Sequence, residues 1–196
     1  MELATIKRMA DDYDGKVSQV YPLVRERLNA LYDDEPDYSS PLPFACEFLF
    51  FEDYYFRIIK HIKANQLDLK YKTVVDIGCQ FGIQSVLFDE FRYIGINDHE
   101  MKFFTDDNIN ARYAVETFPN ISTGLKKRIV ISCMSLGFFN NEKEGITDEK
   151  IAEKLAEADV LYLVSTEEVQ SLLEPKFKTK EVIDCRSRNL WYLCNV

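Results

Sequence analysis

The stretch TVVDIGCQFGIQSVLF (73–88) sets a carboxylate, Asp76, two residues before Gly78, and a second glycine, Gly82, four residues further on. Asp76 lies near the end of a β-branched run, and the residues after Gly82 read as the start of a helix. Glycines at such a turn let backbone approach a ligand, and a following helix offers free amides, so the spacing suits a nucleotide site. A phosphate loop would need Gly-Lys-Ser or Gly-Lys-Thr, which the chain lacks. A dinucleotide fingerprint would need Gly-x-Gly-x-x-Gly, but Gln80 and Ile83 occupy two of its glycine positions. A carboxylate ending a strand, followed by a widely spaced glycine turn, fits best. Cys79 and Gln80, inside the turn, join Asp76, Gly78 and Gly82 as candidate ligand-facing residues.

The elements that must hold this turn follow from length and residue type. TVVDI (73–77), RYIGI (92–96), ARYAVE (111–116), RIVISCM (128–134) and DVLYLVS (159–165) have the length and Val/Ile enrichment of strands. Between the last two, Thr147 or Asp148 can cap a helix that puts Ile151, Leu155 and Ala158 on one face. Ser165 and Glu168 have capping-box spacing ahead of TEEVQSLLEPKF, which Pro175 ends. Strands alternating with helices imply parallel pairing through right-handed crossovers, hence a doubly wound α/β sheet. EVIDCR (181–186) and NLWYLCNV (189–196) are too close for a crossover and should pair as an antiparallel hairpin.

The first 70 residues read as a helical extension or lid, and residues 71–196 as the core. Val17, Val20, Val24, Leu28 and Leu31 share one helix face, with Pro22 starting or kinking that helix. After a loop at 33–43, an amphipathic helix is expected over about 44–64, with Phe44, Phe48, Phe51, Tyr55, Ile59 and Ile62 as its buried stripe. Glu52 falls inside the apolar arc beside Tyr55. It either pairs with Arg57 or Lys63, or points into the ligand cleft if this helix is the lid. His61 falls on the polar side and receives no role, and His99 reads as an exposed loop histidine.

VVDIGCQFGIQSVLF resembles motif I of the class I S-adenosylmethionine (SAM) dependent methyltransferases, usually Asp-x-Gly-x-Gly-x-Gly. Asp76, Gly78 and Gly82 match, and Gln80 replaces the middle glycine. The resemblance covers about residues 71–196 and implies a mostly parallel seven-stranded sheet with an antiparallel last strand. It implies SAM as cofactor. It also assigns the ribose hydroxyls to Asn97 or Asp98 at the end of YIGIND, and the adenine to Glu116 after the third strand. Ser132, Cys133 and Ser135, in ISCMS, would face methionine and substrate, with Tyr55 and Glu52 on the lid side. Cys133 lacks the preceding proline of pyrimidine C5 enzymes and reads as a buried inert thiol.

Whole-chain properties narrow the acceptor. The 196 residues carry a net charge of −9, which disfavours nucleic acid and anionic membrane. The chain also lacks the Asn/Asp-Pro-Pro-Tyr/Phe signature of amino-methylating nucleic-acid enzymes. No run reaches membrane-spanning length, since Glu47 interrupts FACEFLFF (44–51), and the N-terminus has no signal-peptide core. Five dispersed cysteines suit a reducing cytoplasm without a zinc site. The expectation is a cytoplasmic SAM-dependent methyltransferase acting on a small molecule or protein. The alternative is a methyltransferase-like domain that has lost catalysis and acts as a binding or inhibitory protein.

Overall fold

The computed structural model describes residues 54–80, 82–98, 110–133, 145–185 and 189–195. The expected helix at 17–31, the start of the 44–64 helix, Glu52, His99 and Ser135 lie outside the described residues. Among those described, seven strands form one sheet: β1 (Thr73–Ile77), β2 (Arg92–Asn97), β3 (Ala111–Val115), β4 (Ile129–Cys133), β5 (Val160–Val164), β6 (Thr179–Ile183) and β7 (Leu190–Cys194). Their order is β3-β2-β1-β4-β5-β7-β6. Strands β1 to β5 pair in parallel, while β7 is antiparallel to both β5 and β6. Connection length explains the break, because the β6–β7 link is too short to carry a strand back to the same end of the sheet.

Central and edge strands differ as their sequences require. β4 (IVISC) and β5 (VLYLV) are buried at every position, because helices or loops cover both faces of the sheet there. Edge strand β6 is mostly exposed and edge strand β3 is half-buried with Arg112 and Val115 exposed, and the two carry the charged residues Arg112, Lys180 and Glu181. On one face lies helix α1 (residues 54–64), followed by the short helix α2 (Leu67–Lys70). Tyr54, Tyr55, Phe56, Ile58, Ile59 and Ile62 of α1 pack with Val74, Tyr93, Ile131 and Tyr162 of the strands. The opposite face is covered by α3 (Asp148–Leu155) and α4 (Glu167–Leu173), through Ile151, Leu155, Val169 and Leu173.

Local details depart from expectation in four places. The segment after Gly82 is a six-residue 3-10 helix, Ile83–Phe88, opened by the short-range bond from the Ser85 amide to the Gly82 carbonyl (2.9 Å). Between β3 and β4 the link at 116–128 carries no helix. Phe118, Ile121 and Leu125 supply the apolar cover that a crossover helix would provide. Helix α4 is capped by Thr166, whose side chain accepts from the Val169 amide at 3.5 Å, one residue later than the Ser165 spacing suggested. Thr147 caps α3 as expected, accepting from the Lys150 amide.

His61 is the fourth. It lies against the sheet, its Nδ1 2.8 Å from Tyr162 Oη and its ring 4.5 Å from that of Tyr192. Its Nε2 is 3.3 Å from Glu181 Oε2 and 3.1 Å from Asn65 Nδ2. No helix among the described residues is long and apolar enough to cross a membrane.

Candidate functional site

The turn after β1 is left-handed at three points, with φ of 75° at Gly78, 50° at Gln80 and 74° at Gly82. Glycine adopts this conformation freely, whereas a side chain such as that of Gln80 costs about 1 kcal/mol or more. The Gly78 and Cys79 amides both donate to the Ile96 carbonyl, at 2.8 and 3.2 Å, and pin the turn to β2. The Gly82 amide returns to the Cys79 carbonyl at 2.9 Å. Gln80 is part-buried, and neither its amide nor its side chain donates a hydrogen bond to another described residue.

Gly82 is required for space as well as conformation. A Cβ there would overlap the ring of Tyr113, whose hydroxyl donates to the Gly82 carbonyl at 3.2 Å and lies equally close to Ser85 Oγ. Tyr113 reaches the turn because Gly95 intervenes. Asp76, Gly95 and Tyr113 are register partners across β1, β2 and β3, so they share one row on one face. A side chain at Gly95 would come within 2.7 Å of both Cys79 Sγ and the Tyr113 ring.

Asp76 stands at the centre of this arrangement with no exposed surface. Tyr55 of α1 lies 3.1 and 3.0 Å from its two oxygens, Tyr93 of β2 donates to Oδ2 at 2.5 Å, and Gln84 Nε2 donates to Oδ2 at 2.8 Å. The same Gln84 amide donates to the Cys79 carbonyl at 2.9 Å. Burial raises the Asp76 carboxyl from 3.8 to about 6, against the lowering effect of bonds from Tyr93, Gln84 and Tyr55. Burial and the adjacent carboxylate push the hydroxyls of Tyr55 and Tyr93 well up, so both remain donors.

The remaining candidates lie at the carboxyl ends of the strands. Asn97 is buried at the end of β2, and Asp98 follows it, exposed. Glu116 follows β3, and its amide donates to the Asn97 carbonyl at 2.9 Å. Ser122 bonds Glu116 Oε1, while Oε2 is buried and has no partner among the described residues. In β4 the strand alternation sends Ser132 and Cys133 to opposite faces. Cys133 joins the α1 side with Tyr55 and Asp76, and Ser132 is turned toward the α3–α4 face. Burial, then the Asp76 charge, raises the thiols of Cys79 and Cys133, leaving neither poised as a nucleophile. All four described cysteines are buried and outside any disulfide.

The structure thus gathers Asp76, Cys79, Gly82, Tyr55 and Cys133 on one side of the turn, and Asn97, Asp98 and Glu116 along the neighbouring strand ends. Tyr93, Gln84 and Tyr113 were not singled out in the sequence. Their signal was the period of two in RYIGIN and ARYAV, which becomes informative only once the register is known.

No protein-family model matches this chain, and no curated protein sequence matches it. Solved structures do match. Magnesium protoporphyrin IX methyltransferase (ChlM) from Synechocystis PCC 6803, with bound SAM, superimposes with a TM-score of 0.52 at 14% identity, covering 88% of this chain and 94% of that one. The N-methyltransferase NodS from Bradyrhizobium japonicum WM9 gives 0.51 at 11% identity, covering 73% of this chain and 96% of that one. WbdD gives 0.52 at 15% identity, covering 86% of this chain and 47% of that longer one. The chain has the class I methyltransferase fold, with the strand order and antiparallel β7 reported above.

Proposed function

We propose that this chain, built on the fold it shares with those methyltransferases, binds SAM across the carboxyl ends of β1, β2 and β3 and transfers the methyl group to a small-molecule or protein acceptor. The observation that carries the reading is the left-handed Gly78–Gly82 turn, positioned after the strand beside which the sheet reverses direction. The buried, unpartnered Glu116 Oε2 fits the ligand, because an adenine amino group is a donor of the kind that oxygen lacks. Gln80 contributes an amide that has no partner among the described residues.

In this reading Gly78, Cys79, Gln80 and Gly82 present backbone to the methionine portion. Asn97 or Asp98 accepts from the ribose, and Glu116 holds the adenine. Cys133 lies on the side from which an acceptor would enter, under α1. Asp76 and Tyr55 support the turn, and Ser132, facing the other way, contributes packing. When bound, SAM supplies an electrophilic methyl group on a sulfonium. The protein orients the acceptor in line and excludes water. An acceptor that is protonated would also require a base, and neither raised thiol suits that task. The free buried cysteines suit a reducing cytoplasm.

The test is transfer of labelled methyl from SAM to pooled metabolites and proteins, with Glu116→Gln alongside. A labelled product, with Glu116→Gln weakening SAM by about ten-fold through loss of one charge-assisted bond, supports the reading. Tight SAM binding without any labelled product would favour the non-catalytic alternative.

A further inference from the structure

Asp76 is a buried carboxylate without a cation. Its partners are Tyr55, Tyr93 and Gln84, and no lysine, arginine or histidine among the described residues is bonded to it. With no exposed surface and every contact made inside the protein, its side chain has no route to a ligand. What it joins is three elements. Tyr55 comes from α1 and Tyr93 from β2. Gln84, from the 3-10 helix, bonds Asp76 and the Cys79 carbonyl of the turn, and lies 3.3 Å from Tyr55 Oη.

We propose that Asp76 is a positioning residue that, through Tyr55, ties α1 to the glycine turn, so that helix docking and ligand affinity form one equilibrium. The ligand half of this statement rests on the SAM reading above; the tie between helix and turn does not. The second turn of α1 is anchored separately by His61 on Tyr162 and Tyr192. Loss of the Tyr55 hydroxyl therefore frees the Tyr55 end of α1 rather than the whole of it. The Tyr55 ring, edge-on to Phe88 at 6.4 Å, would still pack in a Tyr55→Phe variant, which keeps that variant folded.

Protonation supplies a signature that simple packing would not. Among the described residues, the titratable groups facing Asp76 are Tyr55 on α1, Tyr93 on β2, Tyr113 on β3, Cys79 in the turn and Cys133 on β4, and all are raised by burial. Asp76 alone changes charge in mildly acidic solution. If the Tyr55 end of α1 lifts, Asp76 meets water and its carboxyl returns toward the ordinary range. The docked state therefore binds the proton more tightly, and docking strengthens as pH falls through about 6.

The experiment measures amide hydrogen exchange over residues 54–64, normalised to unstructured rates, together with calorimetric SAM affinity. It uses the full chain as wild type, Tyr55→Phe and Asp76→Asn, at about pH 5 and about pH 7.5. Tyr55→Phe should speed exchange and weaken SAM, each by roughly ten-fold, the worth of one bond to a charged group. Wild type should be better protected at the lower pH, and Asp76→Asn should lose that difference. Unchanged exchange in Tyr55→Phe beside normal SAM binding would overturn the proposal and leave the methyltransferase reading intact. A pH difference that survives in Asp76→Asn would also overturn it. The predicted exchange pattern in a wild type that binds no SAM would sustain the helix–turn tie and sink the methyltransferase reading instead.

Discussion

Replacing Asp76 by asparagine should stabilise the protein at neutral pH. Asparagine keeps the shape and most of the bonding. Its oxygen, placed at Oδ2, still accepts from Tyr93, Gln84 and Tyr55, while its amide, at Oδ1, faces Tyr55 Oη as an acceptor at 3.1 Å. What disappears is the buried charge. The folded carboxyl sits at about 6 against 3.8 when unperturbed, so the native state binds the proton more tightly between those values. The stability it contributes is fully present below about pH 4 and is lost as pH rises through 6. A shift of about two units corresponds to roughly 3 kcal/mol, an upper figure because the unfolded chain is not fully solvated. Urea unfolding followed by Trp191 fluorescence at several pH values reads both quantities. Asp76→Asn should gain about 1–3 kcal/mol near pH 7.5 and lose the slope between pH 4 and 6. A variant less stable than wild type at neutral pH, or one that keeps the slope, would refute the assignment of Asp76 as an unpaired buried anion.

Other outcomes follow from the same geometry. Gly82→Ala combines a left-handed backbone with overlap on the Tyr113 ring, and should cost about 2–4 kcal/mol in chemical denaturation. Pairing it with Tyr113→Leu should recover part of that loss, and strict additivity would contradict the overlap. Gln80→Gly relieves a strained φ but loosens the unfolded chain, so stability should change by less than about 1 kcal/mol. Because the Gln80 side chain makes no bond among the described residues, SAM affinity should also stay within about three-fold; a large gain would mean that the side chain blocks the site. Thr166→Ala should lose about 1 kcal/mol as a helix cap while Ser165→Ala, removing an unpartnered hydroxyl, should be neutral or stabilising. The reverse order in thermal melts would restore the capping role to Ser165.

The strands were legible because parallel, doubly covered strands must be nearly continuous in apolar β-branched residues, and β1, β4 and β5 are. The antiparallel ending was legible from chain length alone. The cover between β3 and β4 was not, since Phe118, Ile121 and Leu125 have no helical or strand period and are recruited by the sheet face they meet. A helical wheel puts His61 on the polar side of its helix. Tyr162 of β5 and Tyr192 of β7 reach its ring from the sheet, a tertiary contact that a wheel drawn for one helix cannot represent. The site was half legible. Asp76, Gly78 and Gly82 announce a turn by type and spacing, but Tyr93, Tyr113 and Gln84 become its neighbours only through strand register and the tight 3-10 turn. The sequence also could not say that the carboxylate of that turn is sealed inside the protein, because burial of Asp76 depends on Tyr55, twenty-one residues away.

The central claim is that this turn holds SAM. Isothermal calorimetry with SAM and S-adenosylhomocysteine, with NAD as control, tests it most directly, supported by the thermal shift that ligand linkage requires. Saturable heats and a raised melting temperature with both adenosyl ligands, and neither with NAD, are the predicted result, because the turn lacks the glycines that admit a pyrophosphate. Flat titrations and unmoved melting at millimolar SAM would contradict it.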